Sequence, residues 1–457
     1  MYRLKQITLL IGDLVALYIG LFLAMLTRHW QWPQEAVLLL IGPMSLLFVL
    51  AIIIMFITGL YDLELSKNNK TFFQKIIMTA LVWMLLGVIY FYINPSNKVS
   101  PKTILLLTSV CGFGLVTVWR YIYNRFVSTT LLQTNIIFVG YNTQVRELIN
   151  ILISEPQRGM SVKGIVNFGE NMPAFADIIN AKKLNDIIEQ IDKSGSVLIV
   201  LSEQMQTDQE ILRDLYACLF KEIGIIRLDD FYEQILSRIP PFTFSETYFV
   251  ANLKEQNKKI YDRFKMLADL LCGAILAVFF ALSFPFIALA IKLNSAGPIF
   301  FQQKRIGKLG RPFNLYKYRT MKALSADGSA EISGPQFATA KDKRITNVGK
   351  FLRQTRLDEI PQFINLFKRE MSIIGPRPER PEFVAELTQA MPYYKLRHLI
   401  KPGITGWAQI KHGYTGQTDE HLRKLEYDLF YIKNRGPLLD TSIILKTANI
   451  IARLAGK

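Results

Sequence analysis

The sequence predicts a membrane protein in three parts: an α-helical N-terminus of four transmembrane helices (residues 1–130), an α/β nucleotide-fold-like central domain (131–250), and a mainly helical α+β C-terminal domain (251–457) carrying a re-entrant membrane helix-break-helix at 266–291. Three observations predict it. Four apolar stretches open the chain, each near the ~20 residues needed to cross a bilayer core. Strand-like and helical runs then alternate. Finally, a fifth apolar stretch with an internal proline precedes a basic region rich in Gly and Pro turns.

The four stretches are residues 7–27, 36–60, 72–93 and 103–123. Arg3 and Lys5 at the start, Lys67, Lys70 and Lys75 in the second loop, and Arg120 and Arg125 at the exit outweigh Arg28 in the first loop and Lys98 and Lys102 in the third. That bias favours both ends of the bundle in the cytoplasm. Apolar segments follow the N-terminus where a small-residue cleavage site would stand, so no removable signal peptide is read.

The central domain is read from strands "NIIFVG" (135–140), "SVLIVLS" and "IGIIRL" with helical runs between them, the pattern of a βαβ domain with a parallel sheet. After the first strand, "GYNTQVREL" keeps Gly140 alone of the three glycines a dinucleotide fingerprint needs. Bound NAD is therefore not expected; a spacer or regulatory role is.

Residues 266–291, "MLADLLCGAILAVFFALSFPFIALAI", contain Pro285, which removes a backbone donor and crowds the preceding turn, so a bend or break is expected there. Both flanks are basic, with Lys258, Lys259, Arg263 and Lys265 before and Lys292, Lys304, Arg305 and Lys308 after. If both ends prefer the cytoplasm the segment dips in and returns. A plain crossing is the alternative and would put everything after 300 outside.

The net charge of +17 is uneven: residues 251–457 hold 34 Lys and Arg against 17 Asp and Glu, whereas residues 1–250 hold 20 of each. A basic surface beside a membrane attracts anionic lipids and phosphorylated substrates. Nucleic acid is not expected, since no recognition fold is readable. Cys111, Cys218 and Cys272 suit neither a disulfide framework nor a metal knuckle. His398, His412 and His421 lack ligand spacing, and no zinc is assigned.

Four clusters carry the chemistry: "GPIFFQQKRIGKLGRPFNLYKYRTM", "DKRITNVGKFLRQTRLDEIPQ", "MSIIGPRPERPEF" and "KPGITGWAQIKHGYTG". Each joins cations to rigid turns, a way of aiming side chains at an anion. Within the second, the neighbouring acids Asp358 and Glu359 stand among Arg353, Arg356, Lys368, Arg369 and Arg377. Asp358 is expected to cap a helix beginning at Glu359, with Pro361 in its first turn. The bland alternative is that the acids only cap and pair with Arg353 or Arg356. Lys317 and Arg319 of "KYRTM" are expected to face substrate phosphates, and Arg344 either binds phosphate or braces the fold. Trp407 reads best as a core residue. The tail "LDTSIILKTANIIARLAGK" lies either in the membrane interface or against the domain.

In order and spacing these motifs resemble the bacterial sugar transferase family, the polyprenyl-phosphate hexose-1-phosphate transferases, from about residue 258 to 457. The N-terminal helices and degenerate nucleotide fold are similar to those of its long-form members. The resemblance implies transfer of hexose 1-phosphate from a UDP-hexose to undecaprenyl phosphate at the cytoplasmic face, releasing UMP. That is the first step of capsule, exopolysaccharide or O-antigen repeat assembly. It further implies Asp358 as nucleophile, an aspartyl phosphosugar intermediate and Mg2+ held by Glu359. Phosphate contacts would come from Arg353 and Arg377, with Arg305, Lys317, Arg319, Arg344 and Gln362 completing the substrate side. Pro285, Pro361, Gly375, Pro376 and Pro378 would shape the backbone. Membrane lipids, the two substrates and a homodimer are the expected partners.

Elementary chemistry agrees with that assignment. Phosphoryl transfer is mostly positioning and neutralisation of spread charge, which guanidinium groups and a metal supply. A carboxylate with an ordinary pKa near ~4 is ionised at neutral pH without a general base. Two other readings compete. "YDRFK" gives Tyr261 and Lys265 the Tyr-x-x-x-Lys spacing of membrane-bound nucleotide-sugar dehydratases, and a non-catalytic polysaccharide-export scaffold would use the cations only to recruit lipid.

Overall fold

The computed structural model describes residues 2–29, 34–93, 102–126, 133–167, 175, 178–190, 196–202, 205, 208–221, 223–253, 258–324, 342, 344–411 and 418–452. Lys98, His412, Arg453 and Lys457, named above, lie outside them. The chain divides into two compact units, Met1–Ile235 and Leu236–Lys457.

The first unit begins with four long helices, α1 (Tyr2–His29), α2 (Gln34–Ile57), α3 (Lys70–Ile93) and α4 (Lys102–Ile122). Their spans Leu4–Arg28, Val37–Ile57, Lys70–Ile93 and Thr103–Phe126 are long and apolar enough to cross a membrane. The bundle is apolar inside, around Leu17, Phe48, Trp83 and Val116, and apolar outside, as lipid requires. One charged pair is buried in it: Arg120 forks onto Asp13 (3.0 and 2.6 Å), Tyr61 donates to the same carboxylate (2.8 Å), and Arg120 also donates to the Leu60 carbonyl (2.6 Å). An ion pair in hydrocarbon persists only when it is satisfied this fully.

The rest of this unit is a doubly wound sheet: β1 (Thr134–Val139), α5 (Thr143–Ser154), β2 (Met160–Val166), β3 (Ile179–Ala181), α6 (Leu184–Gln190), β4 (Ser196–Leu201), α7 (Gln209–Leu219), β5 (Gly224–Arg227) and α8 (Leu228–Leu236). All strands are parallel in the order β3-β2-β1-β4-β5. The three strands read from sequence are β1, β4 and β5; β2 and the three-residue β3 are too short or too mixed to stand out. Gly140, at φ +95°, turns the chain off β1 directly against Ser202. One end of the bundle meets this domain. Lys5 donates to the carbonyls of Arg158 and Gly159 (2.8 Å each), Gln157 to that of Glu64 (2.9 Å) and Lys67 to that of Ser154 (3.3 Å).

In the second unit, α9 (Glu246–Asn252) precedes α10 (Lys259–Asn294), followed by the antiparallel hairpin β6 (Phe300–Ile306) and β7 (Pro312–Tyr318). Then come α11 (Asn347–Gln354), a 3-10 turn Leu357–Gln362, α12 (Phe363–Phe367), β8 (Ser372–Ile374), α13 (Pro381–Ala390), β9 (Gly403–Thr405), α14 (Trp407–Lys411), α15 (Thr418–Asn434) and α16 (Pro437–Ala452). Ile239, Tyr248 and Phe249 pack into this unit's core with Trp407, Leu429 and Ile443.

The break expected at Pro285 is not an interruption: α10 is one helix of 36 residues. The proline removes a single donor, while Phe280 and Phe284 on the preceding turns both stack on Phe300 of the hairpin (6.2 and 5.8 Å). Two stripes divide α10. Ile260, Phe264, Leu267, Leu271, Ile275, Val278, Leu282, Phe286, Leu289 and Leu293 are exposed, at intervals of three and four residues. The opposite side packs on its own unit along the whole length. Asp262 pairs with Arg435, Lys265 with Asp440 (2.7 Å), and Asp269 accepts from Ser372 Oγ and the Ile373 amide (3.0 and 2.9 Å). Asn294 accepts from the Val348 amide at the far end (3.3 Å).

α16 packs partly on its own unit, as one reading of the tail expects: Ile443 is fully buried while Leu438, Ile444 and Ile451 are exposed.

Candidate active site

Asp358 and Glu359 fall in the first turn of the 3-10 segment after Arg356, whose φ of +60° swings the chain inward. Asp358 is therefore inside the turn and caps nothing, contrary to the capping expected from sequence; Arg356 is the residue at the cap position. Both acids are buried, with 7% of each exposed.

Four cations from three segments surround the pair. Lys317, at the end of β7, donates to Glu359 Oε1 at 2.8 Å and stands 3.9 Å from Asp358 Oδ2. Arg356 and Arg377 lie 3.5 and 3.6 Å from Glu359 Oε1. Arg353, the last basic residue of α11, is held by Thr320 Oγ1 (2.9 Å) and contributes its charge to Asp358. Glu359 thus collects the direct contacts, whereas Asp358 Oδ1 is buried with no hydrogen-bond partner among the described residues. Lone burial of a carboxylate oxygen is costly and calls for a purpose.

The two acids titrate in opposite directions. Burial, with the Glu359 charge beside it, pushes the Asp358 carboxyl above its ordinary range against the pull of Lys317, Arg353 and Arg356. Burial acts on Glu359 too, but Lys317, Arg377 and Arg356 outweigh it and hold that group down to about 2. The cations thus serve mainly the neighbour of Asp358.

Backbone contact between two glycine motifs sets the wall opposite. Gly375 N donates to the Thr405 carbonyl and Gly403 N to that of Pro376 (2.9 Å each), extending the parallel pair β8–β9. A Cβ on Gly375 would meet the Lys401 carbonyl at 2.4 Å, and one on Gly406 the Gly375 carbonyl at 2.2 Å. "IIGPRP" and "PGITGW" are two halves of one backbone joint, from which Pro376 and Pro378 present Arg377 to Glu359.

Other expected site residues have different work. Arg319 is 2% exposed and donates to the carbonyls of Pro298, Ala296 and Ser295 and to Ser295 Oγ, so it fastens the end of α10 and is not free to face a substrate phosphate as expected. Arg305 donates to the Pro378 carbonyl (3.1 Å) and Gln303 (2.5 Å), supporting the proline loop. Arg344 forks onto Asp342, the bracing alternative. Gln362 is buried beneath the pair and Pro361 lies within the 3-10 turn. Trp407 is a core residue donating to the Ser237 carbonyl (2.9 Å). Lys368 bonds Tyr316 Oη (3.1 Å), turned to solvent.

Tyr261 and Lys265 both donate to Asp440 (2.6 and 2.7 Å), a clamp between α10 and α16 that accounts for their spacing without a dehydratase. Two residues escaped sequence reasoning. Arg397 donates to the Arg377 carbonyl (3.0 Å), Tyr394 Oη (2.5 Å) and Asp428 (2.8 Å), with both members of that ion pair buried. They are 31 residues apart and belong to no motif, so only folding reveals them.

Among the described residues no three His, Cys, Asp or Glu side chains cluster to hold a metal. The acid pair, with its orphaned Asp358 oxygen, still fits Mg2+, which takes one or two carboxylates and fills its remaining positions with water and substrate phosphate.

Residues 260–453 match the family model described as bacterial sugar transferase. A UDP-N-acetylgalactosamine-undecaprenyl-phosphate N-acetylgalactosaminephosphotransferase of Aeromonas hydrophila is 38% identical over 52% of this chain and 55% of its own length, so the chain matches about half of that relative. A UDP-glucose:undecaprenyl-phosphate glucose-1-phosphate transferase of Klebsiella pneumoniae is 27% identical over 95% of this chain and 93% of its own. The exopolysaccharide production protein PSS of Rhizobium leguminosarum bv. phaseoli is 36% identical over 42% of this chain and 92% of its own.

Proposed function

Since the chain belongs to the bacterial sugar transferase family, we propose that it is an undecaprenyl-phosphate hexose-1-phosphate transferase, taking its donor from a UDP-hexose and initiating capsule, exopolysaccharide or O-antigen repeats. The observation that carries the proposal is the buried Asp358 with one oxygen free of hydrogen bonds, inside a ring of Lys317, Arg353, Arg356 and Arg377.

A carboxylate stripped of hydrogen bonds is a better nucleophile than one held by them. In the proposed first step Asp358 attacks the sugar-bearing phosphorus; an oxygen–phosphorus bond forms to Asp358 and the one to UMP breaks, UMP leaving with the electron pair. In the second, an oxygen of undecaprenyl phosphate attacks the same phosphorus and the bond to Asp358 breaks, restoring the carboxylate. The cations oppose charge gathering on the transferring group in both steps. Glu359 would hold Mg2+, which neutralises the donor diphosphate. Arg353 and Arg377 would orient the phosphates by their planar forks.

The same reading has α10 entering the inner leaflet and returning, with the first unit crossing four times and the acids on the cytoplasmic side. Supporting it, both ends of α10 bond to one folded unit, and its far side is an uninterrupted apolar stripe. A crossing would drag the polar elements bonded along α10 into hydrocarbon. The deciding assay is UMP release from a panel of UDP-hexoses with undecaprenyl phosphate and Mg2+. No UMP release from the wild type would favour the scaffold, and release that survives Asp358→Asn unchanged would remove Asp358 from its proposed role.

A further inference from the structure

A cavity of about 310 Å3 opens in the first unit, where the α2–α3 connection, the end of α4 and the α5–β2 connection converge. Beside the apolar Pro156, its walls are the polar residues Ser66, Lys67 and Asn68 from the first, Asn124 from the second, and Ser154 and Gln157 from the third. Every one of these side chains can donate a hydrogen bond, and none is acidic. Three acids stand close in sequence, Asp62, Glu64 and Glu155, but none lines the cavity, and Arg158 pairs with the last two (3.5 and 2.5 Å). Lys67 is exposed and directs only one of its three donors inward, to the Ser154 carbonyl. The lining of the cavity therefore carries one positive charge, that of Lys67, among neutral donors.

Depth identifies the source of an anion. Span α2 ends at Ile57, span α3 begins at Lys70 and span α4 runs to Phe126, so the cavity lies at the level where headgroups meet water. Asn124 Nδ2 donates to Asn68 Oδ1 (3.0 Å), and Asn68 Nδ2 to the carbonyl of Tyr121 (3.4 Å). Tyr121, Ile122 and Phe126 on that same stretch are exposed, the character of a lipid-facing surface. Lys70 and Arg125 are exposed beside it.

We propose that this cavity binds the headgroup of an anionic phospholipid of the surrounding leaflet. The phosphodiester meets Lys67, and headgroup hydroxyls meet Asn68, Asn124 and Gln157, while the acyl chains run along the Tyr121 side of α4. At about 310 Å3 it stands at the small end of ligand pockets, enough for one headgroup. Such a lipid would bridge the bundle and the α/β domain, wedged between the connections that carry their contacts. The proposal does not depend on the catalytic reading, since no residue of the acid-pair site takes part.

The test uses the full chain in nanodiscs containing phosphatidylglycerol with a photoreactive headgroup, and maps labelled peptides. Labelling should fall within residues 62–70, 121–126 and 154–158, be displaced by unlabelled phosphatidylglycerol and not by phosphatidylcholine, and drop at least fivefold in Lys67→Ala combined with Asn124→Ala. Lys67→Arg should keep most of it, which guards against a folding defect. Unchanged labelling in the double variant, labelling confined to other segments, or equal displacement by millimolar inorganic phosphate would overturn the proposal, the last by assigning the cavity to a soluble anion.

Discussion

Lys317 Nζ stands 2.8 Å from Glu359 Oε1 and 3.9 Å from Asp358 Oδ2, so one ammonium group divides two adjacent buried acids into a directly paired member and one it reaches only at a distance. That asymmetry separates their electrostatics, and it can be measured.

Asp358→Asn should lower UMP release by a factor of about a thousand or more, the scale of losing a covalent nucleophile. In the wild type, donor without lipid should leave one sugar phosphate on Asp358, seen by intact-protein mass spectrometry. No mass increase under those conditions argues against the covalent route.

Stability should move in opposite senses at the two positions. A carboxyl raised above its unfolded value opposes folding once it ionises, so at neutral pH Asp358→Asn should stabilise by about 1 kcal/mol. Glu359, held down to about 2, stabilises the fold above its ordinary value and loses that contribution as pH falls toward 2. Glu359→Gln at neutral pH strands three cations and should destabilise by about 3 kcal/mol. Thermal midpoints in detergent read both.

The rate should rise with pH as Asp358 ionises. Lys317 pulls that ionisation down, so Lys317→Met should shift the acid limb of the kcat/KM profile to higher pH as well as lowering its plateau. A limb that stays put would mean that another group titrates.

Gly375→Ala should disrupt the joint with Lys401 and Gly403, since a 2.4 Å approach to a backbone carbonyl cannot relax by moving a side chain. UMP release and the thermal midpoint should fall together. Arg397→Lys is subtler: the contact to the Arg377 carbonyl can be kept while the fork onto Asp428 is lost, so kcat should drop several-fold with the fold preserved.

Single cysteines at Lys259 and Ser295, the two ends of α10, should react with a membrane-impermeant maleimide from the same, cytoplasmic side. Reaction from opposite sides would establish a crossing.

Much of this was legible in the chain because the signals are local. Apolar runs of bilayer length, alternating strands, and "LDEIPQ" among arginines all announce themselves within some twenty residues. What escaped is what folding creates. Arg319 sits two residues from Lys317 in one motif, yet β7 ends between them, and one side chain meets the acids while the other closes on the carbonyls after α10. Arg397 and Asp428 join across an ion pair no spacing rule anticipates. The direction of the Asp358 shift likewise depends on which acid each cation reaches, a matter of ångströms and not of composition.

The outward stripe of α10 has a practical corollary for anyone wishing to handle the second unit alone. Deleting residues 1–235 takes away four greasy helices but leaves eleven large apolar side chains from Ile260 to Leu293 in contact with water, where full burial of each would be worth about 1.5–3 kcal/mol. Such a fragment will sediment with membranes and leave them only in surfactant.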